Sequence, residues 1–259
     1  MPTSRPSLTE LRAVAQAGVT ERRSAEHWAG RLYMRRLSLR VTRLLVATRV
    51  TPNALTLLMI VVGLVAALAV AVVPGVGGAV AALVLVQAYL LLDCVDGEVA
   101  RWKGLTSAHG VYLDRLGHHV VEAALVVALG VRAAGGPSAT ADWWMVVGAL
   151  AALLVVIGKL ESDLVTVARA GGGLPAAAET DPVSRVGAVR GLRRLFGVLP
   201  VHRLVGAVEI SLLLVVAALI DLVGGGLEAT RGLLIAVGAV ALLVAVGHPV
   251  TVLTSGRLR

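Results

Sequence analysis

The sequence is short of the residues that stabilise small soluble domains. Aromatic side chains make up only 3% of its 259 residues, and Phe occurs once. Cys94 is the only cysteine, which excludes an intrachain disulfide. Lying between Asp93 and Asp96, it could serve as a thiolate ligand, but a small buried filler is the expected role. Charged residues are 15% of the chain, against about 25% in ordinary soluble domains. The first residues are polar and basic with no early apolar run, so no cleavable signal peptide is expected.

What fills the chain instead is aliphatic. Hydrophobic residues reach 57% and the mean hydropathy is +0.86. With so few aromatics, the excess is Leu, Val and Ala, which suit lipid-facing helices. The formal charge is +8, and 22 of the 24 basic residues are Arg. Those residues flank apolar runs instead of forming one soluble basic face. Anionic lipid headgroups and phosphate-bearing substrates are therefore the expected partners, not nucleic acid.

Residues 1–24 read as a poorly ordered polar tail. Over 25–50, Trp28, Leu32, Leu37, Val41 and Leu44 recur among Arg31, Arg35, Arg36, Arg40 and Arg43, which is the pattern of a basic amphipathic helix. Such a helix suits a membrane surface, and packing on the protein itself is the alternative. Residues 51–255 then hold six apolar spans, each near the roughly 20 residues a bilayer core demands. They are expected at 54–73, 79–92, 108–131, 143–157, 204–223 and 233–253. Thr51 or Asn53 as cap, with Pro52 in the first turn, marks the first start. The fold expected is all-α, integral to the membrane, with the amphipathic helix leading.

Basic residues orient the spans. Arg101, Lys103 and the ten Arg of residues 1–50 fall on one side with the group from Arg169 to Arg203, whereas the other side has only Arg132 and Arg231. A multi-pass protein of the cell membrane with both termini in the cytoplasm is expected.

Ionisable groups in spanning helices are expensive and mark function. Asp93 and Asp96 stand i,i+3 near the end of span two, and Asp114 and His118 stand i,i+4 near the start of span three. Each pair shares one helix face, and a short link lets the faces meet. Three carboxylates together repel one another, a cost that a divalent cation removes. Oxygen ligands from Asp suit Mg²⁺ or Mn²⁺ bridging to phosphate. The small residues Gly97, Ala100 and Gly110 admit close approach, and Arg101 offers a forked donor for phosphate oxygens. Lys159, Glu161 and Asp163, with Arg185, Arg190, Arg193 and Arg194, could meet a phosphorylated acceptor or serve only topology.

The run Asp93-x2-Asp96-Gly97-x2-Ala100-Arg101-x8-Gly110-x3-Asp114 resembles the signature of the CDP-alcohol phosphotransferase family, D-x2-D-G-x2-A-R-x8-G-x3-D-x3-D, at seven of its eight positions. The Thr51-Pro52-Asn53-Ala54-Leu55-Thr56 stretch resembles the start of the first span in many members. The likeness covers roughly residues 25–255. It implies transfer of a substituted phosphate from a CDP-alcohol, usually CDP-diacylglycerol, to an acceptor hydroxyl with release of CMP. By matching positions it implies metal ligation by Asp93, Asp96 and Asp114, with two ions of Mg²⁺ or Mn²⁺. It also implies a cytidine-diphosphate pocket lined by Gly97, Ala100, Arg101 and Gly110, a role in phospholipid synthesis, and a homodimer.

The eighth position departs. The family pattern has Asp where this chain has His118. Neutral imidazole could take the acceptor's proton or enter the metal shell, or the change could weaken the second ion and impair the reaction. Glu122, one turn on, could compensate as an oxygen ligand or orient the ring. His119 points elsewhere on the helix. The competing function is a cation-binding membrane protein or transporter without transferase activity, which has no need of a nucleotide cradle.

Overall fold

A computed structural model describes residues 6–17, 28–139, 142–174, 205–254 and 258. Of the connection expected over 169–203, residues 169–171 belong to the end of a helix, and 175–203, with Arg185, Arg190, Arg193 and Arg194, lie outside the described residues. The described elements are helical throughout. They are α1 (Leu8–Ala15), a π-helical turn (Gly30–Met34) that continues into α2 (Arg35–Leu45), α3 (Pro52–Val72), α4 (Gly75–Lys103), α5 (Ala108–Ala133), α6 (Trp143–Gly171), α7 (Ala207–Gly224) and α8 (Glu228–Thr254).

Among the described residues, six helices, α3 to α8, are long and apolar enough to cross a membrane, as the hydropathy pattern predicts. Two run well past their predicted C-terminal ends. Helix α4 starts at Gly75 and runs to Lys103, past Asp93 and Asp96, and α6 runs past Lys159 to Gly171. Both extensions cross charged residues, where a hydropathy window ends although helical hydrogen bonding does not.

The tail expected to be unstructured contains α1. Ser7 caps it: its Oγ accepts from the Glu10 N–H at 3.2 Å, and the Glu10 carboxylate accepts from the Ser7 N–H at 2.8 Å. Those bonds hold the Glu10 carboxyl below its ordinary value. Leu11 and Ala15 are buried with Leu39 of α2, which explains why so short a helix persists.

The chain divides into two compact units, one of residues Met1–Ala66 and Val84–Val121 and one of Ala67–Leu83 and Glu122–Arg259. In the first, α2 packs on the protein through a largely polar face. Its buried positions are Ser38, Leu39 and Thr42, while Leu37 and Leu44, and Leu32 in the π-helical turn before it, are exposed. Thr51 is the cap of α3, accepting from the Ala54 N–H at 3.3 Å with Pro52 as the first helical residue. Helices α3 and α5 approach closely: a Cβ on Gly63 would lie 2.5 Å from a Val121 methyl, and one on Gly117 would lie 2.7 Å from Ile60.

In the second unit, Gly130 of α5 and Gly148 of α6 meet backbone to backbone, where a Cβ on either would lie 2.7 Å from the other's Cα. Arg132 donates to the carbonyls of Val73 (3.1 Å) and Gly75 (2.6 Å) at the α3–α4 turn. The Arg231 guanidinium stacks 5.4 Å from the Trp144 ring centre.

Candidate active site

The α4–α5 connection brings the acidic pairs together. Gly104 takes a positive φ of 66° and ends α4, with the Leu105 N–H bonded to the Ala100 carbonyl at 2.9 Å. Ser107 then caps α5, its Oγ accepting from the Gly110 N–H at 3.1 Å. Only residues 104–107 separate the two helices, so the end of α4 faces the start of α5.

Asp93, Asp114 and His118 each offer a donor atom, and the three atoms lie within 4.8 Å of one another. His118 Nε2 is 3.0 Å from Asp93 Oδ1 and 3.5 Å from Asp114 Oδ1. Two hard oxygens and a nitrogen of intermediate softness suit a divalent cation, so the residues present fit the metal that the sequence implies. Asp96 is not one of the three. It is buried, and its Oδ2 accepts from Thr56 Oγ1 of α3 at 2.6 Å.

A cavity of about 280 Å³ opens beside this group. Asp93, Asp96 and Asp114 line it with Gly97, Ala100, Arg101 and Gly110, so every predicted pocket residue borders one space. Asn53 and Thr56 of α3 and Arg35 of α2 also belong to the wall. At Gly97 a Cβ would stand 3.1 Å from the Arg101 guanidinium, so the glycine leaves room for that side chain.

His118 does not border the cavity in the same way. Its Nδ1 meets the Tyr89 hydroxyl at 2.5 Å, and the rings stand edge to face at 87°. Glu122 does not orient the imidazole. It pairs instead with Lys159 Nζ at 2.9 Å. The Nδ1 of His119 meets the backbone carbonyl of Arg115, consistent with its pointing elsewhere. Cys94 is buried as a filler would be. Glu161 approaches His248 at 3.4 Å.

Among the residues at the site that the sequence reading did not place there are Arg35 in the wall, Thr56 on Asp96, Tyr89 on His118, and Glu98 of α4, which lies 3.5 Å from Arg35. Glu98 carried a signal, since it is an ionisable residue in a spanning helix. Tyr89 and Thr56 carried none, because nothing in the sequence distinguishes a phenol or hydroxyl that packs from one that bonds.

Residues 49–246 match the family model described as CDP-alcohol phosphatidyltransferase. Over 126 residues the chain is 32% identical to the "Bifunctional IPC transferase and DIPP synthase" of Thermococcus kodakarensis, covering 49% of this chain and 26% of that protein. Over 98 residues it is 36% identical to the protein of the same name from Aquifex aeolicus, covering 38% and 22%. The chain thus spans about a quarter of the length of these curated relatives.

Proposed function

The chain belongs to the CDP-alcohol phosphatidyltransferase family, and from that premise we propose that it transfers a substituted phosphate from a CDP-alcohol to an acceptor alcohol at the Asp93–His118 site. The observation that carries this reading is the cavity in which three acidic residues, Arg101 and the small residues Gly97, Ala100 and Gly110 meet. A pure cation pathway has no use for the arginine and the glycine-lined space. Both relatives bear a transferase name, which supports the reaction class.

In this reading Asp93, Asp114 and His118 hold a divalent ion, with Asp96 completing the acidic set beside it. Mg²⁺ or Mn²⁺, as one or two ions, would offset negative charge that grows on the phosphates as the leaving group departs. Arg101 binds phosphate oxygens, and Gly97, Ala100 and Gly110 admit the nucleotide. The acceptor oxygen forms a bond to the phosphorus nearer the alcohol, and the anhydride bond to CMP breaks. The acceptor's proton leaves to a base, and CMP carries away the electron pair.

His118 is read as a ligand through Nε2, because that nitrogen converges on the carboxylate oxygens while Tyr89 occupies Nδ1. The same nitrogen is the candidate proton acceptor of the competing assignment, and it cannot do both at once. The donor is read as CDP-diacylglycerol and the product as a phospholipid in a multi-pass protein whose site and termini face the cytoplasm. Family likeness further supports a homodimer.

The test is incubation of purified protein with CDP-diacylglycerol or a water-soluble CDP-alcohol, Mn²⁺ and a panel of acceptors, following CMP. CMP release that depends on an acceptor supports the reading. Metal binding with no response to CMP, CDP or any donor overturns it.

A further inference from the structure

The surface helix α2 reaches the cavity, and a buried acid organises the contact. Glu98 of α4 is completely buried, so its carboxylate requires donors from the protein. Oε1 accepts from Gln16 Nε2 at 2.8 Å and Ser38 Oγ at 2.6 Å, and Oε2 accepts from Thr42 Oγ1 at 2.7 Å. Arg35 Nη1 lies 3.5 Å from Oε1. Arg35, Ser38 and Thr42 are i, i+3 and i+7, one face of α2, which explains why its polar residues turn inward.

The segment before α2 is fixed to the same place. Gln16 also donates to the Arg35 carbonyl at 2.9 Å, holding that residue by backbone as well as side chain. Arg101 Nε donates to the Ala15 carbonyl at 2.5 Å. Arg101 therefore spends one donor on the end of α1, and its guanidinium still borders the cavity.

Two guanidiniums, Arg35 and Arg101, thus border one space. Like charges held together need anions, and Glu98 supplies one negative charge. Of the acids lining the same space, Asp93 and Asp114 converge instead on the cation-binding group, and Asp96 accepts from Thr56. A diphosphate supplies further negative oxygens, and the planar fork of arginine matches them.

We propose that Arg35, which lies outside the 93–118 segment, binds the diphosphate of the CDP-alcohol donor, and that Glu98 is the positioning residue that presents it. The inference rests on the donor reading above. It makes the N-terminal helices part of the donor site and not only a membrane anchor.

The experiment uses the full chain in detergent with Mn²⁺, measuring CMP release and the binding of CDP and of cytidine. Arg35→Gln is expected to raise the donor KM and the CDP dissociation constant about tenfold or more, the size of a lost charge-assisted bond. The acceptor KM and cytidine binding stay unchanged, since neither involves the diphosphate. Arg35→Lys recovers part of the loss. Glu98→Gln keeps an acceptor for Ser38 and a donor for Thr42 while removing the charge, so it shifts CDP binding in the same direction by less. An unchanged donor KM in Arg35→Gln overturns the proposal, and so does an equal weakening of CDP and cytidine. An unaltered chain that binds cytidine and CDP equally overturns a diphosphate subsite. One that binds neither and releases no CMP overturns the donor reading itself, and this proposal with it.

Discussion

Tyr89 holds His118 by the nitrogen that faces away from the acids. The Tyr89 hydroxyl is 2.5 Å from Nδ1, and Nε2 is 3.0 Å from Asp93 Oδ1. Tyr89 is only 2% exposed, so its hydroxyl has little access to water as a competing partner. The phenol therefore fixes the ring's orientation and leaves Nε2 for the carboxylate group. A partner on the far nitrogen of a ligating histidine is the usual way such a ring is aimed at a metal.

Tyr89→Phe keeps the ring and its packing but deletes the bond to Nδ1. The Mn²⁺ concentration for half-maximal CMP release is expected to rise about 10- to 100-fold, as for other lost partners of ligating histidines. Thermal unfolding in detergent checks that the fold persists. A variant with the parent's Mn²⁺ requirement would show that the phenol plays no part in holding the metal.

Replacing His118 separates ligand from base. Imidazole favours Mn²⁺ over Mg²⁺ more than a carboxylate does, so His118→Asp is expected to raise the Mg²⁺-to-Mn²⁺ activity ratio. His118→Ala is expected to weaken both ions. The measurement is CMP release titrated with each ion for the parent and both variants. A ratio that stays constant while turnover falls in both would transfer the role from metal ligand to proton acceptor.

The six spans were legible because lipid-facing helices must be apolar for a whole bilayer thickness. The acidic pairs were legible because charge in such a helix is costly. Helix ends were less so, since Asp93 and Lys159 interrupt an apolar run without interrupting a helix. The inward face of α2 was not legible for a related reason. Ser38 and Thr42 look solvent-facing until Glu98, some 60 positions away in the chain, turns out to need their hydroxyls. A buried acid reverses the polarity rule for whatever packs on it, and sequence periodicity cannot see that partner. The exchange of Glu122 for Tyr89 as the neighbour of His118 has the same origin: Glu122 is one turn away in sequence, but Lys159 of α6 claims it.

Gly63 tests how tightly α3 and α5 must close. A methyl there would sit 2.5 and 2.6 Å from the Val121 methyls and 3.1 Å from the Tyr89 ring. Gly63→Ala is expected to destabilise by about 1–3 kcal/mol through overpacking, and to lower activity because Tyr89 must shift. Val121→Ala made in the same chain removes the clashing methyls and should restore most of both. The check is a double-mutant cycle in thermal unfolding and CMP release. Independent, additive losses would place the effect elsewhere than in this contact.

Asp221 offers the converse case, stability without chemistry. At the end of α7 its carboxylate accepts from the N–H groups of Ala229 (2.8 Å) and Thr230 (3.1 Å) and from Thr230 Oγ1 (2.5 Å). It thereby satisfies the first turn of α8, whose N–H groups have no partners within their own helix. Asp221→Ala is expected to cost about 1–2 kcal/mol, the range for a lost cap. Asp221→Asn, which retains one acceptor oxygen, should cost less. Neither change alters the charge or shape of the cavity beside Asp93, so donor KM and Mn²⁺ requirement should match the parent at temperatures where the variants stay folded. Unfolding curves set against kinetics decide it. A shifted donor KM at an unchanged melting temperature would mean that Asp221 serves the reaction and not the α7–α8 turn.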